Sequence, residues 1–272
     1  MAKSTYIYFP TSEPEKCFIN SIWRLSDDDL CCRREIILPK GTIEIIFNFS
    51  DKICYFNPTS HVLQNLPATF VNGLNFKPFE LIKTGRQEFL GIQLNSLGLR
   101  LLFDVSAKEI NNIVCPGNEI CSQLDDIANE LFHESVFNQQ VQIILSWIRE
   151  KISTKKFQNS IDRIQKLIRC KYYNDLTVKK LSQEICLSDR QLRRFSQDWL
   201  GMKTEEFIRY CKYLKCLHAL HNSRQSLTEI GLDAGYYDQA HFIHGFRCFT
   251  DMTPKQYREA NTEYMGHILI GV

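Results

Sequence analysis

The sequence predicts an α+β fold, in which a small antiparallel β-barrel or sandwich with following helices precedes an all-α domain. Over about the first 100 residues, apolar side chains recur at every second position, and beyond them the spacing changes to the roughly 3.6 residues of a helix. Charge divides the chain in the same way, because residues 1–154 carry 14 Lys and Arg against 18 Asp and Glu, whereas residues 155–272 carry 19 against 13. Two domains, 1–154 and 155–272, are therefore expected.

Short β-rich runs bounded by turns fill the first domain. In TIEIIFNFS (42–50) every second residue is apolar and the opposite face carries Glu44 and Asn48, which is typical of a half-buried antiparallel strand. Further strands are predicted at CFINSIWRL (17–25), REIIL (34–38), KICYF (52–56), ATFVNGL (68–74), PFELIKT (78–84) and QEFLGIQL (87–94). Strands of this length and spacing favour a small barrel or sandwich.

Helices are predicted next, at SLGLRLLFD (96–104), EICSQLDDIANELF (119–132) and NQQVQIILSWIREKI (138–152). The last of them has an apolar stripe at helical spacing, which consists of Val141, Ile144, Leu145, Ile148 and Ile152 with Trp147 beside it. The polar segment STKKFQNS (153–160) is predicted to be a linker. From Ile161 onward nearly every segment has helical spacing.

A helix-turn-helix pattern occurs twice in the second domain, and a long helix joins the two copies. In residues 176–201, Thr177 caps one short helix, a turn follows, and Ser188 caps a second helix. Residues 226–251 repeat the arrangement at an offset of about 49 residues before the turn and about 50 after it. The helix between them, residues 204–221, would span about 27 Å. Such a rod can hold two short helices in successive major-groove segments of DNA, which lie about 34 Å apart.

These residues resemble a known family. The run from about Ile161 to Arg258 resembles the DNA-binding domain of AraC-type transcriptional regulators, whose mark is two helix-turn-helix units joined by a long helix. The most specific part is EIGLDAGYYDQAHFIHGFRCFTDMTPKQYR (229–258), which matches the family pattern at many positions in order. YIYFP, LPKGTIEIIFNF and FLGIQLNSLGLRLLFD resemble more loosely the β-rich sensor region of some of these regulators. The resemblance implies a sequence-specific regulator of transcription that binds double-stranded promoter DNA, and both activation and repression are compatible with it.

Several residues depart from the family pattern. Ser196 stands where Phe is usual, which shifts the expected core packing onto Phe195. Thr204 replaces a Pro that often begins the joining helix, and Cys186 occupies the usual Gly of the first turn. In the second unit His244 stands where Arg is common, which weakens the expectation of base contacts there.

The second helix of the first unit carries residues suited to reading bases. Its buried side is expected at Leu192 and Phe195, which leaves arginine and glutamine side chains outward. Arg bonds guanine through two atoms and Gln prefers adenine, so this is a predicted recognition helix. The predicted DNA-binding residues are Ser188, Arg190, Gln191, Arg193 and Arg194, of which the three arginines match groove positions of the family. The alternative is that individual arginines only contact phosphates or pair with Asp189 and Asp198.

The second unit supplies a second predicted recognition helix. Its matching DNA-binding positions are Tyr237, Gln239, Ala240, Ile243 and His244. Contacts to phosphates, which supply much of the affinity without reading sequence, are predicted for Lys179, Lys180, Lys203, Arg209 and Arg247. The plainer alternative for each of these cations is a solvated position on the surface.

Candidates for a ligand site are sparse in the first domain. Glu44 and Asn48 share the less apolar face of a predicted strand, and Arg100 could supply a counter-charge for an acidic ligand, although an ordinary solvent-facing surface is the commoner explanation. A metal-dependent cupin enzyme would need a cluster of His and Glu on these strands, and only His61 and His133 precede residue 155, which opposes that alternative. No metal site, catalytic residue or cofactor is predicted. The 11 cysteines show no CxxC spacing, which favours free thiols.

Several partners are expected. A small-molecule or protein effector is expected at the N-terminal domain, and RNA polymerase is a candidate further partner. A homodimer is expected through helix 138–152, with 119–132 as a second candidate, because the apolar stripe of 138–152 is wider than packing against one barrel face needs. Similar regulators often pair through helices after the barrel, and a tethered second copy raises affinity for DNA. The alternative is that the apolar stripe packs under its own sheet.

Membrane partners are not expected. No run approaches the roughly 18 apolar residues of a membrane span, and the start of the chain lacks the pattern of a signal peptide. A cytoplasmic location is therefore predicted.

Two other functions stay open. Some proteins with this DNA-binding module repair alkylated DNA through a nucleophilic Cys in a Pro-Cys-His-Arg segment. The nearest string here is Val-Cys-Pro-Gly at 114–117, without the His and Arg that would activate a thiolate. The other function is an interaction module with weakened DNA binding, which the missing Arg at position 244 favours.

Overall fold

The computed structural model describes residues 3–56, 61–95, 98–153, 166, 176–260 and 262–270. Within them antiparallel sheets come first and helices dominate afterwards, which confirms the predicted α+β class. The strands are β1 (Lys3–Tyr8), β2 (Ile19–Asp27), β3 (Arg33–Ile37), β4 (Ile43–Asn48), β5 (Ile53–Phe56), β6 (Leu63–Asn65), β7 (Thr69–Asn72), β8 (Phe79–Lys83), β9 (Gln87–Leu94), β10 (Val114–Pro116) and β11 (His267–Ile270). The helices are α1 (Glu13–Lys16), α2 (Gly98–Phe103), α3 (Gly117–Ile120), α4 (Gln123–His133), α5 (Phe137–Ser153), α6 (Val178–Ile185), α7 (Asp189–Leu200), α8 (Thr204–Asn222), α9 (Leu227–Asp233), α10 (Gln239–Thr250) and α11 (Pro254–Glu259), with a 3-10 helix at Ala107–Glu109.

The strands form two sheets that face each other. One has six strands in the order β1-β2-β9-β4-β7-β10, and the other has five in the order β11-β3-β8-β5-β6. Their inner faces meet, for instance where Ile46 of β4 packs with Ile53 of β5. The outer face of the six-stranded sheet packs against the helices that follow it. Each predicted strand is present. The strands that the sequence did not predict are the four edge strands of the two sheets, β1, β6, β10 and β11.

β4 is buried on both faces, so the prediction of a half-buried strand is wrong. Ile43, Ile45 and Phe47 pack into the core shared with the helices, and each is 0% exposed. On the other face Ile46 is 8% exposed and meets the second sheet. β4 lies between β9 and β7, and a central strand covered on both faces cannot be told from a half-buried one by alternation alone.

α5 packs its apolar stripe inside its own chain. Val141, Ile144, Leu145 and Ile148 are at most 1% exposed, and Trp147 is 6% exposed. The structure thus shows the alternative interpretation of the stripe, which is core packing. The stripe therefore no longer supports a homodimer, which stays a prediction. The single helix predicted at 119–132 is interrupted, because the extended residue Cys121 separates α3 from α4.

The two helix-turn-helix units are present as predicted. α6 and α7 form the first unit, α9 and α10 form the second, and α8 joins them. Thr177 and Ser188 cap α6 and α7, and the side chain of each accepts a backbone N–H. The predicted linker at 153–160 and the predicted start of the module at Ile161 lie outside the described residues, apart from Ser153 at the end of α5. None of the helices within the described ranges combines the length and apolar character needed to cross a membrane.

α8 also docks onto the N-terminal domain. The Tyr210 hydroxyl donates to the carbonyl of Asn75 at 2.8 Å and accepts the N–H of Gly41 at 3.0 Å. One turn later, the Tyr213 hydroxyl donates to the carbonyl of Pro39 at 2.9 Å. Both tyrosines are buried, and burial raises the pKa of each phenol, so the hydroxyls stay protonated and can donate. The joining helix therefore packs against both the N-terminal domain and the helix-turn-helix units.

The last strand, β11, belongs to the N-terminal sheet although it follows the second helix-turn-helix unit. It pairs antiparallel with β3, from His267 opposite Ile37 to Ile270 opposite Arg34. The all-α domain predicted for 155–272 is corrected at this point. A run of four residues is too short for an alternating pattern to identify it as an edge strand. Its extended conformation depends on pairing with the neighbouring β3.

Replacing Tyr210 by Phe should destabilise the protein, because it leaves the Asn75 carbonyl and the Gly41 N–H buried without their partner. We expect Tyr210→Phe to lower the free energy of unfolding by about 2 kcal/mol. Tyr237→Phe is the matched control, since Tyr237 is 87% exposed. Urea unfolding of both variants and the unchanged protein measures the difference, and equal stability of the two variants would contradict the docking role.

Candidate DNA interface and a cavity in the N-terminal domain

α7, the first predicted recognition helix, is fixed by its cap and by one buried face. The Ser188 side chain accepts the N–H of Gln191, and the Gln191 side-chain oxygen accepts the N–H of Ser188. The buried residues of the helix are Leu192, Ser196 and Leu200. The remaining face is therefore held toward solvent. Because its oxygen serves the cap, Gln191 is less free to bond adenine than the sequence suggests.

The three arginines of α7 lie on its exposed side. Arg190 is exposed at the first turn. Arg193 pairs with Glu205 of α8 at 3.1 Å, and Arg194 approaches Asp198 at 3.7 Å. These pairs are open to solvent, and such pairs contribute little to stability, so both guanidinium groups can exchange their partner for DNA.

Two departures from the family pattern compensate each other in the core of the first unit. Ser196 and Thr204 are both 0% exposed, and their hydroxyls form a hydrogen bond of 3.0 Å. The corresponding residues of the second unit, 50 positions later, are Phe246 and Pro254, which are also buried. A polar pair thus replaces an apolar pair at the same place. Phe195 packs against the core as expected but stays half-buried.

α10, the second predicted recognition helix, presents a different surface. Asp238 caps it by accepting the N–H of His241, and Phe242 and Phe246 anchor its buried side. The predicted readers Tyr237, Gln239, Ala240 and His244 are exposed, and Ile243 is half-buried. Ala240, Ile243 and His244 stand at the positions that Arg190, Arg193 and Arg194 occupy in α7. The two helices therefore offer unlike chemistry from equivalent positions.

The predicted phosphate contacts are spread over both units. All of them are exposed, with Lys179 and Lys180 in the first turn of α6, Lys203 before α8, Arg209 on α8 and Arg247 on α10. Because each of these side chains is exposed, each can approach a phosphate. Exposure is equally compatible with a solvated cation that contacts no DNA. Their role stays a prediction.

Arg100, a predicted ligand residue, contacts the first recognition helix. Its guanidinium lies 4.6 Å from the ring centre of Trp199, over the ring face, and it donates to the carbonyl of Asp198. Such a stacked cation holds the two elements together and is not free to balance a ligand's charge. Arg100 thus joins α2 to the end of α7.

Both recognition helices end beside the N-terminal domain. Gly201, which ends α7 in the left-handed conformation, accepts a hydrogen bond from Asn111 at 3.3 Å on its carbonyl. Asp251 is the equivalent end of α10, and its carboxylate pairs with Lys77 at 3.3 Å. The first contact leaves no room for a side chain, because a Cβ on Gly201 would lie 2.6 Å from the backbone nitrogen of Lys108.

A cavity of about 660 Å³ lies between the two sheets. Its walls are mainly apolar and include Trp23, Ile46, Phe70, Phe79, Leu81 and Phe89. The segment after α11 closes one side, since Ala260, residues 262–265, His267 and Leu269 also line it. Cavities of this size accept small organic molecules. No residue pattern of the sequence indicated this wall, because it combines strands with a tail that is far from them along the chain.

The closing segment is held by β1 and by β3. Lys3 of β1 pairs with Glu263 at 2.5 Å, and Thr5 shares a hydrogen bond of 3.1 Å with the Tyr264 hydroxyl. On the other side His267 contacts Glu35 at 2.9 Å. Burial opposes ionisation of Glu35, but the bond from His267 and the charge of Lys83 outweigh it and hold the pKa of this carboxyl well below its usual range.

The three predicted ligand residues do not form one site. Glu44 lines the cavity, where it pairs with Lys40 at 3.6 Å and accepts from Gln93 at 3.4 Å. Asn48 is at the end of β4, and its side chain accepts the N–H of Ser50. Arg100 lies at α7. A role in ligand binding stays a prediction for Glu44 and Asn48, whereas the contacts of Arg100 oppose it. The cavity also contains polar residues that the sequence did not single out, among them Arg33 and Gln87.

Cys115, the cysteine of the Val-Cys-Pro-Gly string, is placed where a nucleophile is not expected. It lies in β10 and is 8% exposed, and its thiol faces the carbonyl of Val71 at 3.7 Å. Burial raises the pKa of this thiol to about 11, so the thiolate is scarce at neutral pH. The structure therefore argues against alkylation repair through this residue.

Both halves of the chain match known protein families. Residues 181–260 match a family described as "Helix-turn-helix domain", and residues 10–116 match a domain family of unknown function, DUF6597. The HTH-type transcriptional activator RhaR of Shigella dysenteriae serotype 1 is 22% identical over 255 residues, which is 91% of this chain and 86% of that protein. RhaR of Escherichia coli O139:H28 is 24% identical over 144 residues, 52% of this chain and 51% of that protein.

Solved structures show weaker likeness. ToxT from Vibrio cholerae O395 covers 96% of this chain and 99% of its own, with 12% identity and a TM-score of 0.49. A transcriptional regulator with an AraC-type DNA-binding domain from Chromobacterium violaceum covers 39% of this chain and 98% of its own, with 19% identity and a TM-score of 0.36.

The paired helix-turn-helix units, their outward basic residues and the matched helix-turn-helix family define a class. The chain is a DNA-binding transcriptional regulator. More narrowly, it is an AraC-type regulator, and the resemblance found in the sequence is confirmed by the helix-turn-helix match and by the RhaR relatives.

The buried Ser196–Thr204 pair should behave as a coupled unit. We expect Ser196→Ala and Thr204→Val each to lower the free energy of unfolding by about 1–2 kcal/mol, because each leaves a buried hydroxyl without its partner. The double variant should lose less than the sum of the two. Thr228→Val, at an exposed position of α9, is the control and should change little. Additive losses in denaturant unfolding would show that the two hydroxyls do not stabilise each other.

Proposed function

We propose that this protein reads two adjacent major-groove segments with unequal chemistry. The observation that carries the proposal is the correspondence between α7 and α10, which present Arg190, Arg193 and Arg194 on one helix and Ala240, Ile243 and His244 on the other. Both sets occupy the same side of equivalent helices. α8, at 19 residues, has a length of about 28 Å, which suits two successive turns of the groove.

The chemistry of the two helices favours different bases. Arginine bonds the O6 and N7 atoms of guanine together, so the segment read by α7 is expected to contain guanine. Small and apolar side chains such as Ala240 and Ile243 favour the methyl group of thymine. The operator would therefore combine a guanine-containing segment with a thymine-containing one about one helical turn away.

We further propose that an effector in the cavity controls this reading. The segment that closes the cavity follows directly after α11, and Gly266 in it donates its N–H to the Tyr257 hydroxyl at 3.1 Å. Tyr257 in turn packs on Phe246 of α10, with ring centres 6.0 Å apart. A ligand in the cavity would thus contact the chain that leads to the second recognition helix. Activation is proposed because the RhaR relatives are named transcriptional activators, and RNA polymerase is then a further partner.

Arg194→Ala should weaken specific binding and relax the sequence preference at one base pair. We expect a loss of about 1–3 kcal/mol for a duplex obtained by selection from random sequences. Arg86→Ala is the matched control, because this exposed arginine of the N-terminal domain should not approach DNA. Equilibrium titration of the selected duplex and of single-base variants measures both effects. Unchanged affinity with unchanged preference would contradict base reading by Arg194.

Lys180→Ala should weaken binding to all sequences alike, because a phosphate contact carries no sequence information. The slope of the logarithm of affinity against the logarithm of salt concentration should fall by about one unit. Titrations of random and selected duplexes at several salt concentrations measure it. A loss confined to the selected duplex would show that Lys180 reads bases. Absence of salt-dependent binding to random duplex by the unchanged protein would instead favour the interaction-module alternative.

A further inference from the structure

Two loops of the N-terminal domain are tied to each other and form one support. They are residues 73–77, which follow β7, and residues 107–113, which lead into β10, and together we call them the docking loops. The backbone N–H of Asn112 donates to the carbonyl of Leu74 at 3.0 Å, and its side-chain oxygen accepts the N–H of Phe76 at 2.7 Å. Because Asn112 bonds through both its backbone and its side chain, the two loops hold each other in place.

The docking loops contact the end of α7, the first recognition helix. The Asn111 side chain donates to the carbonyl of Gly201 at 3.3 Å. The two backbones also approach closely here, because a Cβ on Gly201 would lie 2.6 Å from the backbone nitrogen of Lys108. A side chain at position 201 would therefore push α7 and the docking loops apart.

The same loops contact the joining helix and, through it, α10, the second recognition helix. The ring of Phe76 meets the ring of Tyr210 on α8 edge-on, with centres 5.1 Å apart. Tyr210 in turn meets Phe249 of α10, with ring centres 5.2 Å apart. Lys77 also pairs with Asp251 at 3.3 Å, but both side chains are exposed, so this ion pair contributes little. The aromatic contacts are thus the firmer link to α10.

The docking loops contact equivalent ends of the two recognition helices. Gly201 and Asp251 lie 50 positions apart, each ends its helix, and both have a positive φ, of 67° and 57°. α8 sets the distance between the two units, and the docking loops add contacts to the recognition helices themselves. Such contacts oppose rotation of either recognition helix about α8.

We propose that the docking loops fix the angle between the two recognition helices and thereby make the protein selective for the spacing of the two groove segments. Asn111 and Phe76 are then positioning residues, which act through α7 and α8. The inference rests on the proposed reading of two groove segments. One extra base pair between the segments moves the second by about 3.4 Å and turns it by about 35° around the duplex axis. Two helices held at a fixed angle cannot follow this change, whereas two loosely held helices can.

Spacing selectivity is measured with two duplexes and the full chain. One is the duplex selected from random sequences, and the other carries one extra base pair between its two groove segments. Equilibrium titration should show that the unchanged protein binds the second duplex at least about tenfold more weakly, because simultaneous engagement of both segments is lost. Equal affinity for the two duplexes would contradict the reading of two segments itself, and this inference with it.

Variants at the end of α7 separate the inference from the proposed function. Gly201→Asn keeps a residue that tolerates the left-handed conformation at a helix end, but its Cβ meets Lys108. Asn111→Ala removes the hydrogen bond to α7 without adding atoms. Each should reduce the ratio of the two affinities several-fold. Asn118→Ala is the matched control and should keep the ratio, because this exposed asparagine of α3 bonds to Asp125 of α4.

Phe76→Leu tests the link to the second unit, because it keeps an apolar side chain beside Tyr210 but removes the ring contact. It should also reduce the ratio several-fold. A loss of stability alone would weaken binding to both duplexes alike and leave their ratio unchanged. The ratio therefore reports the positioning of the helices rather than the amount of folded protein.

Two outcomes would overturn the inference while the unchanged protein still discriminates between the duplexes. An unchanged ratio in folded Asn111→Ala, Gly201→Asn and Phe76→Leu proteins would show that α8 alone sets the spacing. Tighter binding of the selected duplex by these variants would show that the docking loops hold the recognition helices away from DNA. Either result would leave the reading of two segments intact.

Discussion

The docking of α8 through Tyr210 and Tyr213 is the constraint on which the rest of the structure depends. A buried phenol has to find a hydrogen-bond partner, and these two find theirs in backbone groups of the N-terminal domain rather than in the helices around them. Gly41 allows the approach, because a Cβ there would lie 2.5 Å from Leu214. Since α8 also carries both helix-turn-helix units, the N-terminal domain holds the element that sets their separation.

The two units share a fold but not a chemistry. Ser196 and Thr204 replace an apolar pair by a hydrogen bond, and the outward face of α7 is strongly basic where that of α10 is not. A polar pair in the core is tolerated only when both partners stay bonded, so the first unit depends on an exact hydroxyl contact that the second does not need. The unit richest in potential base contacts is thus also the one with a polar pair in its core.

The tail after α11 turns two neighbouring domains into one connected structure. β11 completes the five-stranded sheet, and the residues before it close the cavity. Ion pairs neutralise the Lys, Arg, Asp and Glu side chains that line that cavity. Any molecule bound there would contact both the strands of the N-terminal domain and the chain that leads to Tyr257 and α10. The proposed control of DNA binding from the cavity would act through these contacts.

The sequence by itself determined the elements whose pattern is local. Alternation located the inner strands, capping residues such as Thr177 and Ser188 located the helix starts, and the repeat offset revealed both units. Only the tertiary structure decided what depends on distant neighbours. It buried β4 on both faces and turned the stripe of α5 inward, and it moved Arg100 from a presumed ligand site to Trp199. It also placed Gln87 opposite Asp27, the ion-pair partner of Arg33, and paired β11 with β3. These outcomes arise from contacts between residues far apart in the chain, for which a local period carries no information.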